Sequence, residues 1–202
     1  MSEIKKVHGI YVLKKNSPTL ANLRQALPEP SIHGYKVWSS SFLIMDYLKY
    51  EPFDIGSSVL DIGCGWGMLG IYCAKSFKAK VTGVDADEWV FPYLRVHAAM
   101  NDVKVKTHTS LYQDIPANML TKHDVMLGGD ICFWDELVEP LYDLVSRAVK
   151  KKVGYIIIAD PGRSPFMKLA KKCKKDFGGE LIPWQITKPR ADSGYLLVIR
   201  TK

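Results

Sequence analysis

Residues 59–70 constrain this chain more than any other stretch. Val59, Leu60 and Ile62 give a buried-strand pattern that Asp61 interrupts with a carboxylate, glycines at 63, 65 and 67 turn the chain, and Met68 opens a helical pattern. A strand, a tight glycine turn and a helix N-terminus together leave bare backbone against which a ligand can lie. Counted from Gly63, the first glycine of the turn, the spacing departs from a dinucleotide fingerprint, Gly-x-Gly-x-x-Gly, which needs glycine where Met68 stands.

From Ser58 onward, apolar strand-length runs alternate with helix-length amphipathic segments, the pattern of a parallel sheet covered on both faces. Strands are expected near 58–62, 80–84, 103–108, 123–128, 153–159, 181–187 and 194–200, and helices near 66–77, 87–100, 134–150 and 164–177. Ser164, with its hydroxyl as cap, and Pro165 in the first turn start the last helix, and Gly178 and Gly179 stop it. Pro189 to Gly194 leaves room for a short turn alone, so the last two strands pair as an antiparallel hairpin. Upstream, Ser17 and Pro18 start a helix through Leu27 that Pro28 and Pro30 end, and Trp38 to Tyr50 reads as an amphipathic helix. The 202 residues, 47% of them hydrophobic, suit one domain over 1–202, with 1–55 an N-terminal cover on a core of 56–202.

Composition narrows the class further. No apolar run approaches the roughly 20 residues of a membrane span, and Met1 to Lys6 lead into no apolar signal region. Cys64, Cys73, Cys132 and Cys173 form no Cys-x-x-Cys pair, which suits reduced thiols in a cytoplasmic protein. His8, His33, His97, His108 and His123 are scattered without metal-ligand spacing, so no metal is expected. The charge of +7 gathers at Lys150–Lys152 and between Lys168 and Lys175. These clusters read as solvated helix ends and faces, and without interleaved aromatic residues nucleic acid is an unfavoured partner.

The motif Asp61-x-Gly63-x-Gly65-x-Gly67 resembles motif I of the class I, seven-strand methyltransferases that bind S-adenosylmethionine (SAM). The resemblance implies an α/β fold: a Rossmann-like, seven-stranded, mostly parallel sheet with helices on both faces, closed by the C-terminal hairpin. It implies SAM as cofactor, with Gly63, Cys64 and Gly65 against its methionine part and Asp61 meeting its amino group. Asp85 closes the second strand about 20 residues past the turn, where a carboxylate can accept from two ribose hydroxyls, while Asp87 caps the following helix. Ser110 to Asp114 would border the adenine, with Tyr112 or Leu111 flanking it.

After the fourth strand stands Gly129, then Asp130-Ile131-Cys132-Phe133, followed by Trp134 to Leu137 and Glu139-Pro140-Leu141. This segment is similar to the Asp-x-x-Tyr/Phe segment of the family 16 methyltransferases, many of which methylate protein lysines. Trp38 matches that family's N-terminal Trp beside the cofactor. The resemblance therefore implies a protein N-methyltransferase acting on lysine, with Phe133 and Trp134 walling the amine's channel and Asp130 either orienting the amine or serving a structural or SAM-side role. Phe133 replaces a frequent tyrosine, so no phenol hydroxyl acts there. Trp66 in the turn is shared with small-molecule and lipid methyltransferases, which keeps a small-molecule acceptor open. An RNA or DNA acceptor is less favoured, since the amino-methylating motif Asn/Asp-Pro-Pro-Tyr/Phe is absent. A SAM-fold scaffold without activity is the non-enzymatic alternative. Asp160-Pro161-Gly162-Arg163, similar to a segment of lysine methyltransferases acting on the electron-transfer flavoprotein, is expected to face the substrate side of the cleft.

Overall fold

The computed structural model describes residues 3–31, 33–187 and 191–201. The chain opens with a two-stranded antiparallel hairpin, β1 (Ile4–Val7) and β2 (Ile10–Leu13), and then α1 (Pro18–Ala26) and α2 (Ser40–Tyr47). The core follows as β3 (Ser58–Ile62), α3 (Met68–Phe77), β4 (Lys80–Asp85), α4 (Phe91–Met100), β5 (Val105–Thr109), α5 (Ala117–Leu120), β6 (Val125–Gly129), α6 (Val138–Lys150), β7 (Tyr155–Asp160), α7 (Ser164–Phe177), β8 (Glu180–Ile186) and β9 (Asp192–Arg200). The seven-stranded sheet runs β5-β4-β3-β6-β7-β9-β8, with β3 to β7 parallel and β9 antiparallel to both β7 and β8. This is the expected α/β, mostly parallel sheet with its C-terminal hairpin. The turn expected at Pro189–Gly194 is shorter than foreseen, because β9 already begins at Asp192; residues 188–190 lie outside the described residues.

Register explains why both faces are covered. Val81, Val59, Val125 and Tyr155 lie abreast on one face, where α2, α3 and α4 pack. Leu60, Met126, Ile156 and Ile199 lie abreast on the other, beneath α6 and α7. Central strands buried on both faces read as continuous apolar runs, and β7 is buried over its whole length. The N-terminal residues Val7, Ile10, Val12, Leu13 and Leu20 join the first of these apolar layers. Among the described residues no helix is long and apolar enough to cross a membrane.

Three local expectations are corrected. The hairpin β1–β2 was not foreseen; its two-residue turn, His8 and Gly9, takes positive φ at both positions (46° and 85°), as a tight hairpin turn requires. The helix expected over Trp38–Tyr50 is trimmed to Ser40–Tyr47; Ser40, Leu43, Ile44 and Tyr47 share one face at helical spacing, and Met45 beside them is buried as well. Ser164 opens α7, and Pro165 lies in its first turn, but the hydroxyl makes no cap bond. Asp160 Oδ1 instead accepts from the amides of Gly162 (2.8 Å) and Arg163 (2.7 Å), setting the turn that launches the helix.

Candidate active site

The chain doubles back at the C-terminal ends of β3, β4 and β6, where an open α/β sheet leaves a crevice between strand ends and loops. The glycine turn after β3 forms its floor. Gly63, Gly65 and Gly67 have φ of 60°, 51° and 73°. At Gly63 a Cβ would lie 2.6 Å from Ile131 Cγ2 and 3.0 Å from the Tyr112 hydroxyl, so glycine is required by contact as well as by backbone conformation. A Cβ at Gly65 would meet nothing within 4 Å, because that residue faces open space.

That space is a cavity of about 320 Å³. Of the ten residues expected to form the site, Trp38, Gly63, Gly65, Asp85, Tyr112, Gly129, Asp130 and Phe133 line it, together with Leu111 and Trp134. Asp61 and Cys64 do not. Asp61 is buried and turned toward α3, where its Oδ2 accepts the Gly70 amide at 2.9 Å. Burial without a cation raises its carboxyl to about 7. Cys64 lies behind the turn against Gly83, and burial pushes its thiol up. Both residues hold the turn from beneath.

Asp85 ends β4 at the cavity wall. Its Oδ2 accepts the Gly65 amide (2.9 Å) and its Oδ1 the Asp87 amide (3.1 Å). Each oxygen keeps a further lone pair for a ligand. Burial raises this carboxyl, with the amide bonds acting in opposition. Asp87 takes the expected capping role, accepting from the Trp89 amide at 2.9 Å. It also binds Ser31 of the N-terminal segment. A donor-rich ligand with two hydroxyls therefore fits beside Asp85, over the bare backbone of the glycine turn.

Asp130 sits just past β6 with φ 62°, in the left-handed region, which Asp tolerates better than most residues. Its Oδ2 accepts the Ser40 amide at 3.0 Å, satisfying an otherwise free donor at the start of α2. Its Oδ1 pairs with the Arg163 guanidinium. The same guanidinium nitrogen lies 3.1 Å from Asp160 Oδ2, as a charge contact outside hydrogen-bonding geometry. Gly129 makes the approach possible, since a Cβ there would lie 2.9 Å from the Ser41 amide nitrogen. Asp160 is fully buried, and neither it nor Arg163 lines the cavity, so this segment braces β6 against β7.

The cavity mouth is aromatic. The His33 ring stands 4.8 Å from Phe133, 5.5 Å from Trp134 and 5.7 Å from Trp38, centroid to centroid. The Trp38 indole donates to the His33 carbonyl at 2.8 Å, and Lys36 Nζ lies 3.8 Å from the centre of a Trp38 ring. Sequence reading missed His33, counting it among the scattered histidines. Its one signal was nearness to Trp38 in the N-terminal cover. Trp66, which had kept a small-molecule acceptor open, points away from the cavity. It stacks on Tyr93 (4.9 Å, 5°) and near His97 (5.7 Å), and its indole donates to the Gly34 carbonyl at 2.7 Å. Its presence says nothing about the acceptor. The lysines of α7 fall partly into structural roles, Lys168 pairing with Asp135 and Lys172 with Glu139.

Residues 59–152 match the family model of a methyltransferase domain. The chain is 51% identical over 119 residues to the histidine protein methyltransferase 1 homolog of Dictyostelium discoideum, a match covering 56% of this chain and 38% of that protein. It is 36% identical over 97 residues to the ribosomal protein L11 methyltransferase of Shewanella frigidimarina, covering 48% of this chain and 30% of that protein. The matches thus span about a third of the length of these curated relatives. Among solved structures, the 16S rRNA N2 G1207 methyltransferase of T. thermophilus in complex with AdoMet and guanosine aligns with TM-score 0.67. That alignment has 17% identity and covers 98% of this chain and 50% of that one. The ribosomal protein L11 methylase of Lactobacillus delbrueckii subsp. bulgaricus aligns with TM-score 0.61 at 19% identity, covering 83% and 81%. At these identities the structural likeness is one of fold.

Proposed function

We propose that the chain, whose residues 59–152 match a methyltransferase-domain model, is a class I, SAM-dependent methyltransferase that carries a methyl group from SAM to a side-chain nitrogen of a protein, a histidine imidazole foremost and a lysine amine second. The observation that carries the reading is the meeting of two surfaces in one cavity: the glycine turn with Asp85, and the aromatic mouth of His33, Trp38, Phe133 and Trp134.

When bound, SAM supplies an electrophilic methyl on a sulfonium. The residues of the chain would do the rest. Asp85 would accept from the ribose hydroxyls, the backbone at Gly63 and Gly65 would hold the methionine part, and Tyr112 or Leu111 would flank the adenine. The aromatic mouth excludes water and aligns the incoming nitrogen, and alignment of this kind supplies up to about 7–11 kcal/mol. Asp61 and Cys64 hold the turn in shape without touching the ligand.

The state of Asp130 favours imidazole over amine. Its charge is already met by the Arg163 guanidinium, with the Ser40 amide on its other oxygen, which makes it a weak base toward an incoming ammonium. A histidine, with its ordinary pKa near 6.5, already offers a neutral nitrogen at pH 7, whereas lysine must first lose a proton. The 51% identity to a histidine protein methyltransferase homolog supports the same choice. Asp130 then acts as a positioning residue, and Phe133 as part of the wall. The four cysteines are all free thiols, which fits a cytoplasmic setting.

The test is transfer of labelled methyl from SAM into a methylation-deficient lysate, followed by hydrolysis of the labelled protein. Label recovered as methylhistidine and insensitive to nuclease supports the proposal. Methyllysine would move the acceptor to the second choice, and label confined to RNA or small molecules would overturn both. A scaffold would show no thermal shift with SAM or S-adenosylhomocysteine.

A further inference from the structure

A second concavity lies away from the glycine turn, a trough of about 1050 Å³ along β4 and β5. It exists because α5, which follows β5, has four residues where α6 has thirteen and α7 fourteen. One row of the sheet shows the effect. Ile156, Met126 and Leu60 are apolar and covered by α6 and α7, and their neighbours in register are Thr82 and then Lys106. Side chains change from apolar to polar where the helical cover stops, so the open face belongs to the fold and is not a packing defect.

The trough is strongly basic. Lys78, Lys80, Lys104, Lys106 and Lys122 line it against a single acid, Asp102. All five lysines are exposed, and none has an ion pair among the described residues. Beside them β5 is the last strand of the sheet, paired with β4 alone, so its outer amides and carbonyls have no strand partner among the described residues. Among the described residues no Phe, Tyr or Trp lines the trough, and of its two imidazoles, His108 and His123, the second is bonded to Met119 and Thr82, so nucleobases find little to stack on.

We propose that this edge is a docking surface for an acidic protein segment in extended conformation, which adds as a strand to β5 and sets its carboxylates among the trough lysines. Free main-chain groups match another polypeptide backbone, and flanking charge selects which one. Lysines on an edge strand repel a second copy of the same edge, and the same charge attracts an acidic strand. The proposal concerns binding alone and stands apart from the identity of the methyl acceptor.

The experiment uses the full chain and a fluorescein-labelled decapeptide of alternating glutamate and threonine, read by anisotropy. Saturable binding is expected, weakening as salt rises. The double variant Lys104→Glu/Lys106→Glu should weaken it at least about tenfold, with an unchanged melting temperature. Lys171→Glu/Lys174→Glu on α7 should leave it intact. Amide exchange across Val105–Thr109 should slow when the peptide is bound. Absence of saturable binding, equal loss in both double variants, or binding without slowed exchange on β5 would each overturn the proposal. So would tighter binding of a poly-uridine probe at the same lysines.

Discussion

Four aspartates stand near the C-terminal ends of parallel strands, and the two halves of the sheet use them in opposite ways. Asp61, one residue short of the end of β3, and Asp85, ending β4, accept backbone amides only, from Gly70 in the first case and Gly65 and Asp87 in the second. Among the described residues no cation pairs with either, and burial raises both carboxyls. Asp130 and Asp160, beyond β6 and ending β7, share Arg163. Burial still dominates at Asp160 and raises it, with the two amides and the guanidinium pulling the other way. In one half of the sheet the carboxylates meet backbone amides alone, and of the two only Asp85 faces the cavity; in the other the chain supplies its own cation.

The largest test of this contrast is Arg163→Met. It should leave two buried carboxylates facing each other without their cation, at a cost of roughly 3 kcal/mol in urea unfolding. A loss no greater than that of Asp85→Asn would break the contrast. Asp85→Asn keeps an acceptor for only one of its two amides, so it should cost about 1 kcal/mol in stability and weaken SAM binding about tenfold, or ~1.4 kcal/mol, by calorimetry. Smallest is the pH effect at Asp61. Its folded value of about 7 lies above the unfolded 3.8, so the folded chain holds the extra proton. Its contribution is complete below about pH 4 and is lost as pH rises through about 7. Between pH 6 and 8 the ligand-free protein should lose about 1 kcal/mol from this source. Asp61→Asn should flatten that slope while keeping an acceptor for Gly70.

Much of this was legible because it is local. The strand, glycine turn and helix of 58–77 are written in contiguous residues, and so is the hydrophobic run of β7. The missed hairpin was legible too: Val7-His8-Gly9-Ile10 places glycine in a two-residue turn between short alternating strands. Other features depend on contacts that no local pattern encodes. Arg163 lies 33 residues from Asp130 and reaches it across two strand ends. Asp61 looked like a ligand residue because its motif places it beside the turn; which way its carboxylate points depends on the helix that packs behind. His33 gains meaning only when the N-terminal segment folds over Phe133 and Trp134.

The bond from the Trp66 indole to the Gly34 carbonyl reaches beyond packing. It fastens the glycine turn to the N-terminal segment at the point where that segment becomes the cavity's aromatic wall. Floor and wall are one mechanical piece, and displacing either drags the other. Trp66, clamped between that bond and the Tyr93 ring, is an optical strain gauge for the joint.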